Sequence, residues 1–154
     1  MTLEQALVWV LRGFGALYIL GAVLLFRHLR VYALVDDATK RIEMMTREID
    51  GEESPEPADA FDKERNGWLA AGGVLTAVAG IAMIFALQIS LVILVLLVIQ
   101  QLGYFIRQRM RELAAKSPEE AEDARPSTAT RNGFYTCLAL TVLAAWLGWK
   151  GALA

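Results

Sequence analysis

The chain has 154 residues, 15 of them basic and 17 acidic, and is 56% hydrophobic without counting glycine; ordinary soluble domains reach roughly 45–50% with glycine included. The excess sits in four blocks with almost every charge between them, which excludes a soluble globular domain, a secreted disulfide scaffold and a disordered chain. Near-neutral charge gives no nucleic-acid footprint. One cysteine, Cys137, and one histidine, His28, cannot supply an intrachain disulfide, a thiolate metal cage or two axial haem ligands.

These features predict an all-α polytopic membrane protein: a single domain, a four-helix transmembrane bundle with cytoplasmic helical extensions. A crossing helix needs about 20 mostly apolar residues. The first block, 6–26, is broken only by Arg12. Thr2 and Gln5 before it form a capping-box pattern. Residues 1–5 lack the basic region of a cleaved signal, so the block is expected to stay as a helix. The second block, 68–87, and the third, 89–106, form one uncharged stretch. As a single helix it would be about 58 Å long, nearly twice the hydrocarbon thickness. A hairpin is therefore expected, with its turn at Gln88-Ile89-Ser90. The fourth block, 134–149, is short, and the stem of Lys150 can extend it.

All but two of the 15 basic residues fall in loops 27–67 and 107–133; the exceptions are Arg12 and Lys150. The positive-inside rule places both loops in the cytoplasm, and both ends and the hairpin turn outside. A bacterial inner membrane suits this pattern.

Beyond the first block, Val31, Val35, Ala38, Ile42, Met45 and Ile49 recur at steps of 4, 3, 4, 3 and 4. They predict an apolar helical seam and one continuous helix from residue 3 to about 49. Asp36–Lys40, Asp37–Arg41 and Glu43–Arg47 are supporting i,i+4 pairs. Ile106, Met110 and Leu113, with Glu112–Lys116, extend the third block likewise. The seam is expected to pack on this 106–116 extension; the other reading pairs it with a second copy or a partner protein. Ser117-Pro118-Glu119-Glu120 predicts a short helix. Residues 51–60 are acidic, contain two prolines and are expected to be flexible. Asn66-Gly67-Trp68 and Asn132-Gly133-Phe134 are expected to end loops and anchor the following helices.

No carboxylate lies inside a span, so the usual proton-coupling group of transporters is missing. Arg12 is the intramembrane charge, expected to reach the outer headgroups; its functional alternative is an anion contact. Gln88, Gln100 and Gln101 complete a candidate intramembrane polar site, though interhelical hydrogen bonding is their ordinary role. Ala70, Gly73, Ala77 and Gly80 form a small face, for packing within the bundle or against another protein. Arg27, Arg30, Arg107, Arg109 and Arg111 form a basic rim that fixes topology or attracts anionic lipid. No phosphate loop, nucleophile–base pair or metal spacing occurs, and no cofactor is expected. The expected role is a non-enzymatic accessory or scaffold subunit, or a homo-oligomer; its partners would be the bilayer, other membrane subunits or further copies. The alternative is a small oligomeric transporter or channel using Arg12 and the glutamines.

Overall fold

The computed structural model describes residues 2–50, 59–115, 117–123 and 125–154. At Asp36, Lys40, Glu43, Met44, Glu119, Glu120, Asp123 and residues 46–50 and 59–65 it describes the backbone alone. The expected flexibility of 51–58, the pairs Asp36–Lys40 and Glu43–Arg47, Lys116 and the Ile49 side chain therefore lie outside the described residues; Asp59 and Ala60, expected to be flexible too, are already helical.

Five helices occur, α1 (Leu3–Asp50), α2 (Asp59–Ile84), α3 (Ile89–Ala114), α4 (Pro118–Asp123) and α5 (Thr128–Trp149), and no strand is present among the described residues. Helix α1 packs on α2, α2 on α3 and α3 on α5, and α5 closes back on α1. The pairs α1–α3 and α2–α5 lie across the diagonals and do not touch among the described residues. The arrangement has two ends. The turn end carries residues 2, 86 and 154; the extension end carries the far part of α1, α4 and the last turns of α3.

Thr2 and Gln5 start α1 as a reciprocal capping box. The Gln5 N–H donates to Thr2 Oγ1 at 3.3 Å, and the Thr2 N–H donates to Gln5 Oε1 at 3.0 Å. From there α1 runs 48 residues unbroken, about 72 Å, more than twice a hydrocarbon core. Asp37 and Arg41 pair on it at 3.3 Å. Helix α4 forms at the Ser-Pro-Glu-Glu motif, with the Ala121 N–H on the Ser117 carbonyl.

Among the described residues, three helical segments are long and apolar enough to cross a membrane: Leu3–Thr39, Asn66–Ile84 and Ile89–Ala114. Helix α5 is 22 residues long, but threonine, tyrosine, glycine and tryptophan dilute its apolar run. The buried core lies mid-bundle and toward the turn end, where Leu11, Met83, Leu94, Leu97 and Leu147 interlock. Leu17 and Leu24 on α1, Val78 and Ile81 on α2, Val92 and Ile99 on α3, and Leu138 and Val142 on α5 face outward. Water does not tolerate apolar side chains around an entire surface; lipid does.

Several expectations are corrected. The hairpin turn is not at 88–90. Helix α2 stops at Ile84, Ala86 takes φ 51, and Ser90 is already inside α3. The Leu87 N–H bonds the Ala82 carbonyl and the Ala86 N–H the Met83 carbonyl. That is the two-bond Schellman cap, with alanine where glycine is usual. Asn66-Gly67 and Asn132-Gly133 end no loop; both lie inside helices. In α5 the reason is an earlier start signal: Ser127, extended and following Pro126, accepts from the Thr130 N–H at 3.1 Å. The 31–49 seam does not pack on the 106–116 extension, because α1 and α3 occupy opposite corners.

Gly151 ends α5 in the same way as Ala86 ends α2. It has φ 67, the Ala152 N–H bonds the Leu147 carbonyl, and the Gly151 N–H bonds the Gly148 carbonyl. A Cβ on Gly151 would meet nothing within 4 Å. Gly151→Ala is therefore expected to lower stability by about 1–2 kcal/mol through backbone conformation alone. The shift of the unfolding midpoint in detergent measures it.

Candidate functional site

The small face on α2 lies against the chain's own first helix. A Cβ built on Gly80 falls 2.7 Å from the Gly15 carbonyl oxygen, and one on Gly15 falls 2.7 Å from the Gly80 carbonyl oxygen. Farther along, a Cβ on Gly73 would press on Leu25 and Phe26 at 3.1–3.4 Å. Ala70 and Ala77, on the same α2 face, are partly buried. Gly15 supplies the matching surface on α1, whereas Gly13 and Gly21 face open space.

The four residues of the candidate polar site separate into two places. Gln100 and Gln101 meet in a cleft of about 190 Å³ near the extension end, lined also by Leu25, Trp68, Thr76 and Thr130. Gln100 Nε2 donates to the Trp68 carbonyl at 3.1 Å, and the Thr76 hydroxyl donates to the Gly72 carbonyl at 2.7 Å. Gln101 Oε1 is buried without a hydrogen-bond partner. The described lining carries no carboxylate, ammonium, imidazole or thiol, so its chemistry is hydrogen bonding.

Arg12 and Gln88 lie toward the turn end, each about 18–20 Å from this cleft along its helix. The Arg12 guanidinium sits 5.1 Å from the Trp9 ring centroid, a cation–π contact, and its Nε is buried without a hydrogen-bond partner. Gln88 belongs to a backbone clasp. The Gln88 N–H donates to the Ala154 carbonyl at 2.8 Å, and the Ala154 N–H donates to the Ala86 carbonyl at 2.9 Å. Leu153, 5% exposed, is packed into the core beneath the turn. The clasp joins the α2 cap to the segment after α5. Sequence periodicity gave no sign of it; Gly151 just past a helix end was the available signal.

The basic rim divides between opposite corners: Arg27 and Arg30 on α1, and Arg107, Arg109 and Arg111 on α3. Arg109 Nη1 reaches Glu112 Oε2 at 2.6 Å, and Arg125 Nε reaches Glu112 Oε1 at 2.9 Å. This clasp ties α3 to the segment between α4 and α5. Hydrogen bonds from Arg109 and then Arg125 hold the Glu112 carboxyl below the ordinary carboxylate range. A lowered folded pKa means that the clasp is intact above the ordinary pKa and lost as pH falls through the lowered one. Glu112→Gln is expected to speed hydrogen exchange over 125–130 at neutral pH. The parent chain should approach the variant only as pH falls below the ordinary carboxylate range, once intrinsic rates are divided out.

Gln108 (6% exposed) and Ser90 (0% exposed) are buried polar residues that the hydropathy pattern hides. Gln108 Oε1 and Ser90 Oγ are both buried without hydrogen-bond partners. Cys137 is buried, and its Sγ donates to the Leu94 carbonyl at 3.9 Å. Among the described residues no group of three His, Cys, Asp or Glu could hold a metal ion.

The seam residues of α1 point away from the bundle: Val31, Val35, Ile42 and Met45 are 52–65% exposed, and Ala38 is exposed. Ile106, Met110 and Leu113 on α3 are also exposed. No family model matches the sequence, and no curated protein or solved structure matches it either.

Proposed function

We propose that this chain is a four-span integral membrane protein without catalytic chemistry, working as an accessory or scaffold subunit of a larger membrane assembly or as a homo-oligomer. The observation that carries the reading is the apolar surface left open beyond the length of a bilayer. The α1 seam and, on α3, Met110 and Leu113 are exposed and lie past Arg27, Arg30 and Arg107, basic residues that favour a membrane boundary at that level. Helix α5 is the proposed fourth span, supported by its outward Leu138 and Val142 and its position between α3 and α1. The basic residues favour a cytoplasmic extension end, with residues 2 and 154 and the 85–88 turn outside. A bacterial inner membrane fits.

A second reading, a small transporter or channel, draws its support from the Gln100–Gln101 cleft and the unsatisfied Gln101 oxygen. It does not gain Arg12, which lies toward the opposite end. Native mass spectrometry of the tagged protein, gently extracted from its host membrane, tests the main reading. A stoichiometric second protein or a defined homo-oligomer is expected. A lone monomer carrying only lipid would overturn it.

A further inference from the structure

Helix α1 has two opposite faces. Leu11, Gly15, Ala22 and Phe26 lie on the side that meets the bundle. At 100° per residue, the opposite side carries Val10, Gly13, Leu17, Leu20 and Leu24, then Val31, Val35, Ala38, Ile42 and Met45. All ten fall within a strip about 100° wide, and all are exposed. The first five can face acyl chains. At the boundary Arg27 and His28 fall on the two edges of the strip, and beyond them the last five resume it as apolar residues. A solvated helix face would stay polar past that boundary; this one does not.

We propose that the strip is the seam of a parallel α1–α1 pair between two copies of this chain. The inference rests on the assembly reading above and names its partner. Whatever covers the strip must run from the bilayer straight into the cytoplasm. It must be apolar along both parts, and α1 of a second copy has that length and pattern. Copies inserted with the same orientation project these helices in parallel, so each residue meets its own equivalent across a two-fold axis. The flanks fit self-pairing. In the cytoplasmic part they are Tyr32 and Thr39 on one side and Leu34 and Arg41 on the other. No like charges oppose each other, and Arg41 is tied to Asp37 of its own helix. Gly13, which no residue of its own chain approaches within 4 Å of a Cβ position, allows close approach inside the bilayer. The cytoplasmic part alone is too short to hold two helices together; the membrane part supplies length and keeps the copies at high effective concentration.

Single cysteines at Val31, Val35, Ala38 and Met45, in a Cys137→Ala background, test the pairing by oxidative cross-linking in native membranes. A band at twice the chain mass is expected at all four. Ala33 and Asp37, off the strip, should give little. Val35→Glu places like charges face to face and should lower the Ala38→Cys dimer yield at least tenfold, with helical content unchanged by circular dichroism. Cross-links to a protein of another mass, or to Met110→Cys of a second copy, would overturn self-pairing while leaving the assembly reading intact. Failure of all four cysteines to cross-link to anything, together with a monomer in native mass spectrometry, would overturn both.

Discussion

Replacing Gly80 by leucine is expected to destabilise the fold by about 3 kcal/mol or more, the upper range for forcing atoms into a packed contact. The obstacle is backbone: the first added carbon would lie 2.7 Å from the Gly15 carbonyl oxygen and 3.1 Å from the Ile19 nitrogen. A flexible side chain could swing aside; a helix backbone has to translate. Gly80→Ala should already cost about 1–3 kcal/mol. Gly15→Ala should cost a similar amount, and the double variant less than the sum, because both act on one contact. Gly21→Ala, with nothing within 4 Å, serves as the control and should leave stability unchanged or slightly higher. Tryptophan fluorescence during unfolding in mixed micelles gives all five values. Between helices in lipid, as proposed here, apolar transfer would contribute little and this close approach would be a main source of α1–α2 affinity.

Leu153→Ala is expected to remove about 2–3 kcal/mol, the lower part of the range for truncating a buried leucine. The side chain sits at the rim of the core, and its removal leaves a void beneath the α2–α3 turn. The effect should not stay local to residue 153. The same segment supplies the Ala154 carbonyl to the Gln88 N–H and the Ala154 N–H to the Ala86 carbonyl. Loosening it exposes the cap of α2, so the Gln88 amide should exchange faster in the variant while mid-helix amides of α3 stay protected. Unchanged Gln88 exchange would mean that the turn holds without the clasp.

The helices were legible where one residue pattern decides them. The length of α1 followed from apolar steps of three and four running past the first block, and its start from Thr2 and Gln5. The hairpin followed from an uncharged stretch too long for one crossing. Its apex did not, because Ala86 occupies a left-handed position that glycine would have marked. The start of α5 was obscured by Asn132-Gly133, a turn signal in isolation that an upstream Ser127 cap overrides. The candidate site was the least legible. Gln100 and Gln101 are adjacent in the chain and reach one cleft, whereas Arg12 and Gln88 go elsewhere. Which helix faces which is a tertiary fact that spacing along one helix does not contain. The same limit applies to the seam: its period is local, but α1 and α3 sit at opposite corners, so the sequence could not reveal that Val31, Val35, Ala38, Ile42 and Met45 are exposed.

A four-span bundle with its extensions in the cytoplasm, as proposed above, predicts a definite labelling pattern. Cysteines at Glu4, Gly151, Arg41 and Arg125, each in a Cys137→Ala background, can be exposed in intact cells to a membrane-impermeant maleimide. Labelling at Glu4 and Gly151, with Arg41 and Arg125 protected until the membrane is opened, is the expected result. Labelling of Glu4 with protection of Gly151, or the reverse, would place residues 4 and 151 on opposite sides. That outcome would contradict α5 as a span and the four-span account with it.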